Sequence, residues 1–134
     1  MSMLFQVVPQ TVFTLPAARE IHLRDVVDVS AFDELVIEVQ SLSPGTIPAA
    51  ELFLLLQTAV EQVPEEGWSL ITPRQLELSS AGTAPKVWRT TWKRSDTAPF
   101  LRLMRLGFSN TGTADRTLDL RVVVFGIGGC GCGK

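Results

Sequence analysis

The sequence predicts an all-β fold, an antiparallel two-sheet sandwich, on three observations. Apolar and polar residues alternate with period two over stretches of about eight residues, as half-buried strands require. The segments SLSPGTIP, VPEEG, SSAGTAP and SNTGTAD, rich in turn formers, separate those stretches at short intervals. The one segment suited to a three-turn helix, ELFLLLQTAVEQ at 51–62, also alternates with period two, and a strand is favoured there. Eight or more short strands favour a jelly roll over an immunoglobulin-like sandwich, whose sheet-bridging cysteine pair is missing from the body of this chain.

Taken in order, residues 1–15 form an N-terminal arm with strands at Leu4–Val8 and Thr11–Leu15. This arm is too apolar to stay free and is expected to pair with a sheet, its own or a neighbour's, burying Phe5 and Phe13. Residues 16–125 form the sandwich body. A short strand at Glu20–Arg24 opens it. In the strand at Asp33–Gln40, Leu35, Ile37 and Val39 face inward and Glu34, Glu38 and Gln40 outward, around an extra apolar Val36. In the next strand Leu52, Leu54, Leu56, Thr58 and Val60 keep one phase. Phe53 and Leu55 make its first half apolar on both faces, as in a central or interface strand. Strands at Ser69–Ile71, Gln75–Leu78 and Lys86–Lys93 follow. Between Pro99 and Phe108 the phase slips, and a bulge near Met104 and Arg105 would restore one inward face and leave Arg102 and Arg105 outside. The strand Thr117–Phe125 closes the body, with Leu118, Leu120, Val122 and Val124 on one side and Asp119 and Arg121 on the other. Residues 126–134 form a Gly/Cys tail.

With 134 residues the chain can bury roughly two thirds of its extended surface without metals or disulfides. Its composition, 46% hydrophobic and only 19% charged, leaves a surface poor in charge, so partners are expected to cover some apolar area. A net charge of −2 gives no reason to expect nucleic acid. The densest basic cluster, Lys86, Arg89, Lys93 and Arg94, reads as a solvated strand face. The N-terminus has no basic leader and its apolar run is broken by Pro9, so neither a secretory signal nor a membrane span is expected, and the product is read as made in the cytoplasm.

Little in the sequence looks catalytic. His22, the only histidine, lies between Glu20 and Arg24 on the polar side of a short strand, and no Ser-His-Asp or Cys-His set can be assembled around it. Asp25, Asp28, Asp33 and Glu34 have the oxygens of a calcium site, but turn chemistry, with Asp28 or Ser30 bonding local backbone, is the reading preferred for them. Trp88 and Trp92 share one strand face, suited to core or interface packing or, if open, to stacking on sugar rings.

The end of the chain, GIGGCGCGK, contains G-x-x-x-x-G-K. A phosphate loop needs a Ser or Thr after the lysine and a helix beyond it, and neither follows Lys134. Cys130 and Cys132 cannot complete a tetrahedral zinc site from one chain. Converging copies could share a metal or form interchain disulfides through them, so the stretch reads as an assembly tail. No cofactor is expected.

The series DVSAFDELVIEV, LFLLLQTAVEQVPEEGW, APFLRLMRLGF and TLDLRVVVFGIG resembles small jelly-roll virion proteins of tailed bacteriophages, head-decoration and related accessory proteins. The residues that carry it are Asp28, Val29, Ser30, Phe32, Asp33, Glu34 and Leu35, then Leu56, Gln57, Thr58 and Trp68, then Phe100, Leu101, Arg102 and Leu103. The acidic turn before Trp68 and the cysteine tail depart from that pattern. The resemblance implies a non-enzymatic structural subunit of a multi-copy particle, bound to itself and to a major capsid or other particle protein, and placed on the particle surface. Phe5, Phe13, Phe53, Leu55, Trp88, Trp92, Cys130 and Cys132 are the interface candidates. The alternative is a carbohydrate-binding jelly-roll module using exposed tryptophans.

Overall fold

The computed structural model describes residues 2–23, 26–43, 45–61, 74–82, 86–97 and 99–128. They form nine strands: β1 (Ser2–Leu15), β2 (Arg19–His22), β3 (Val27–Asp28), β4 (Glu34–Ser41), β5 (Leu52–Ala59), β6 (Arg74–Glu77), β7 (Lys86–Lys93), β8 (Leu103–Asn110) and β9 (Arg116–Ile127). No helix occurs among the described residues. The first sheet runs β1-β9-β4-β7 and the second β2-β8-β5-β6, with β3 also on β8. Every pairing is antiparallel. Successive strands mostly alternate between the two sheets, and the last strand returns to lie beside the first, which is the double Greek key of a jelly roll.

Period-two patterning decides which side chains meet between the sheets. Leu35, Ile37 and Val39 of β4 and Leu118, Leu120, Val122 and Val124 of β9 are buried against Leu52, Leu54 and Leu56 of β5 and Met104, Leu106 and Phe108 of β8. Each such side chain stabilises the fold by about 1.5–3 kcal/mol relative to exposure. Trp92 is fully buried, with its ring edge-on to Phe100 at 5.7 Å. Gly126 lies on the inner face under Phe32, whose ring atoms would stand 2.6 Å from a Cβ at that position. Only glycine lets that ring close the end of the core.

Side chains fix the connections. The Arg94 guanidinium donates to the carbonyls of Phe32 (2.7 Å) and Val29 (2.9 Å) and lies 4.4 Å from the centre of the Phe100 ring. It thereby ties the β3–β4 connection to the chain beyond β7. Asn110, buried at the end of β8, donates to the carbonyls of Leu15 and Ala114, both at 2.9 Å. Two alanines, Ala18 and Ala50, adopt φ 56°, a left-handed conformation that costs an L-residue roughly 1–2 kcal/mol. Ala50 is held from two sides, its N–H donating to Glu77 Oε2 and its carbonyl accepting from Thr111 Oγ1.

Several boundaries differ from the sequence reading. The two N-terminal strands are one, whose register on β9 shifts between Gln6 and Val8 and again between Val8 and Thr11. Pro9, which has no N–H for the ladder, lies in that irregularity. The bulge expected at Met104 and Arg105 is absent: β8 pairs with β5 in unbroken register from Leu103 to Asn110. Met104, Leu106 and Phe108 face inward, Leu101, which is exposed, precedes the strand, and Leu103 is only half-buried at its first position, so the apparent phase slip needs no extra residue. Arg105, expected outside, is buried and donates through Nε to Gln57 Oε1 at 3.0 Å. Val60, read in one phase with Leu52, Leu54, Leu56 and Thr58, lies past the end of β5 and is exposed. The expected strand at Ser69–Ile71 lies outside the described residues.

Candidate assembly surface

The same alternation that fills the core decides what each sheet presents on its other side. The second sheet turns Leu55, Gln57 and Ala59 of β5, Arg105 and Ser109 of β8, and His22 of β2 away from the core. In the folded chain the five on β5 and β8 are buried as well, with Leu55 3% exposed, Gln57 0% and Arg105 4%, and His22 is half-buried. Gly107 stands opposite His22, and a Cβ there would come within 2.9 Å of the Ile21 carbonyl and 3.0 Å of His22 Nδ1. His22 Nε2 lies 3.3 Å from Glu20 Oε1. A buried arginine that shares a bond with a buried amide fits a polar layer inside the protein, because an unpartnered charge there would be prohibitive.

The first sheet differs. Its outward positions are Arg121, Val123, Phe125 and Ile127 on β9, Glu34, Val36, Glu38 and Gln40 on β4, and Val87, Arg89, Thr91 and Lys93 on β7. All remain at least partly open to solvent. Val36, Val123, Phe125 and Ile127 form an apolar centre. An open depression of about 470 Å³ crosses it, lined by Val36, Glu38, Arg89, Thr91, Val123 and Phe125. At its side the Arg89 guanidinium meets Glu38 Oε1 at 2.9 Å, and Lys93 stands across from Glu34. The centre can exclude water against a partner while the charged rows set register, which is the anatomy of a protein–protein contact.

The sequence-derived interface candidates scatter over the molecule. Trp92 and Leu55 are buried inside the chain, so they have no surface to offer a neighbour, and their apolar character serves internal packing. Trp88 is half-buried against the core, its Nε1 donating to the Ser79 carbonyl at 3.0 Å. With Trp92 fully buried, these two tryptophans do not form an open stacking platform for a sugar. Phe13 packs against the core with its ring 5.3 Å from Phe108, and Phe53 is half-buried on the outside of β5. The backbone of Phe5 pairs with Val124. Trp68, Cys130 and Cys132 lie outside the described residues. Val123 and Phe125 were missed, although the run VVVF at 122–125 puts apolar residues on both phases of β9 just as Val36 does on β4.

Of the acidic residues considered for calcium, Asp25 lies outside the described residues, and among those described no group of three or more His, Cys, Asp or Glu gathers. Asp28 instead accepts from the Ser30 hydroxyl at 2.6 Å and the Ser30 N–H at 3.0 Å, and Arg102 lies 3.4 Å away. Those hydrogen bonds from Ser30, with the Arg102 guanidinium second, hold its carboxyl below the usual carboxylate value.

No family model matches this sequence, and no curated protein matches it. Solved structures share its fold. The VP2 subviral particle of infectious bursal disease virus matches over 93% of this chain with a TM-score of 0.54 at 9% identity, and the structure of the Gx strain of that virus matches over 93% with 0.54 at 8%. This chain spans about a third of those proteins, 31% and 32% of their length. A subunit of Bacillus endospore appendages, described as disulfide-linked pili, matches over 94% of this chain and 89% of its own, with a TM-score of 0.49 at 10% identity.

Proposed function

We propose that this protein is a non-enzymatic structural subunit of a multi-copy particle, and that its copies or a particle partner cover the outer face of the β1-β9-β4-β7 sheet. The observation that carries this reading is the contrast between the two outer faces: one is buried within the chain along Leu55–Ala59 of β5 and the facing part of β8, and the other leaves Val36, Val123, Phe125 and Ile127 open at its centre. Apolar side chains in the middle of a sheet face, bordered by charge, are what an interface uses. The jelly roll shared with a viral capsid protein agrees with the reading at the level of fold. The finer form is a phage head-decoration, head or tail accessory protein, or a subunit of a comparable bacterial assembly, at the particle surface beside a major capsid or other particle protein. In that setting Cys130 and Cys132 act as an assembly tail joined to neighbouring copies.

The test is the size of the protein isolated from its source and of the purified chain, by light scattering, beside a Val123→Asp/Phe125→Asp variant. The wild type is expected to be multimeric or particle-bound, and the variant to be a folded monomer. A wild type that stays monomeric at high concentration and is never found on a particle would overturn the reading.

A further inference from the structure

The connection between β1 and β2 has features of a hinge. β1 belongs to the first sheet and β2 to the second, and the chain crosses between them in only three residues, Pro16, Ala17 and Ala18. Pro16 restricts its own backbone, and Ala18 is forced to φ 56°, where an alanine is strained. Short strained connections favour an extended alternative in which the segment before the hinge reaches a neighbouring copy. β1 suits such a transfer. It is an edge strand whose ladder partner is β9, and no charged residue occurs before Arg19. What holds it lies along its own length: the ladder to β9, buried Val8 and Leu15, the Phe13–Phe108 contact and the bond from Asn110 to the Leu15 carbonyl. None of these contacts depends on which copy supplies the strand.

We propose that, on assembly, β1 is exchanged between copies, each subunit completing its first sheet with the β1 of a neighbour. This rests on the multi-copy reading above. In dilute solution the chain's own β1 wins, because the connection keeps it at a high effective concentration. In a packed assembly the neighbour's strand competes on similar terms, and extension at residues 16–18 releases the strain at Ala18.

Thr14 and Thr117 are register partners whose hydroxyl oxygens lie 3.4 Å apart, so a disulfide placed there reports which chain owns the strand. The variant carries Thr14→Cys and Thr117→Cys with Cys130→Ser and Cys132→Ser, and is oxidised before and after assembly. Non-reducing electrophoresis should show monomers from the dilute protein and covalent ladders from the assembled one. Monomers alone from the assembled protein overturn the exchange and leave the multi-copy reading standing. A wild type that never assembles overturns both. Should the first pair prevent folding, Val12→Cys with Asp119→Cys, also register partners, gives the same readout. In an assembly that does ladder, Ala18→Gly should favour the closed form about tenfold and thin the ladder accordingly. An unchanged ladder would remove the hinge strain as the cause and overturn the proposal in this form.

Discussion

The outer face of the β2-β8-β5-β6 sheet and that of the β1-β9-β4-β7 sheet both carry apolar side chains at alternate positions, yet the first is buried inside the chain along its centre on β5 and β8 and the second is open. On the buried face Arg105 and Gln57 are bonded to each other, and a glycine makes room for His22. On the open face charges stand beside the apolar centre in a partly solvated pair, Glu38 and Arg89. The difference separates two demands on the sequence. Residues of the buried face are constrained by folding, and those of the open face are free of that constraint and available for a partner. Substitutions on the two faces should therefore fail in different assays.

The largest effect is expected on the buried face. Gly107→Ala puts a methyl group against the Ile21 carbonyl and should destabilise the fold by about 3 kcal/mol, measured by denaturant unfolding. Gln57→Leu takes an acceptor from buried Arg105 and should cost about 2–3 kcal/mol in the same measurement. If either variant kept wild-type stability, the face would not be an interior. On the open face Phe125→Ser should change monomer stability by about 1 kcal/mol or less while lowering self-association at least tenfold, read by sedimentation. A loss of several kcal/mol with association intact would assign Phe125 to the core instead. Arg89→Gln breaks an ion pair whose arginine side chain is 65% exposed, and should cost no more than about 0.5 kcal/mol, vanishing at high salt.

The smallest effect belongs to Asp28. Its carboxyl has a folded-state pKa below the ordinary 3.8, so its contribution is fully present above that value and is lost as pH falls through the lower folded pKa. Asp28→Asn should flatten the acid limb of the stability curve slightly and leave stability at neutral pH nearly pH-independent. An Asp28→Asn curve that parallels the wild type down to strong acid would show that Ser30 does not hold this carboxyl.

Where alternation was strong, the sequence was easy to read: β4, β7 and β9 lie within a residue or two of their expected places, and the segment with helix formers is a strand because tertiary packing overrides propensity. The reading failed where period two alone could not tell one kind of burial from another. Leu55 and Arg105 point away from the core, and pattern assigns such residues to an interface or to solvent, whereas the fold buries both. Trp92 could not be placed by type, because a core tryptophan and an exposed one look alike in a strand. The two-residue strand β3 left no periodic signal at all. The open centre was legible only in part: Val36 was noticed as out of phase, but Val123 and Phe125 were absorbed into a strand whose inward residues already explained it.

β9 lies between β1 and β4, and this order governs when the molecule can form during synthesis. The strand that joins the two halves of the first sheet is the last of the nine to be made. Until residues 116–127 have emerged, β1 and β4 have no common partner, and Leu35, Ile37 and Val39 belong to a half-built sheet. The ladder between β1 and β9 then closes a loop of roughly the whole chain, the kind of long-range contact that slows folding and leaves apolar strands exposed meanwhile. Premature termination ahead of β9 would leave a chain with two unfinished sheet edges and no native state to reach.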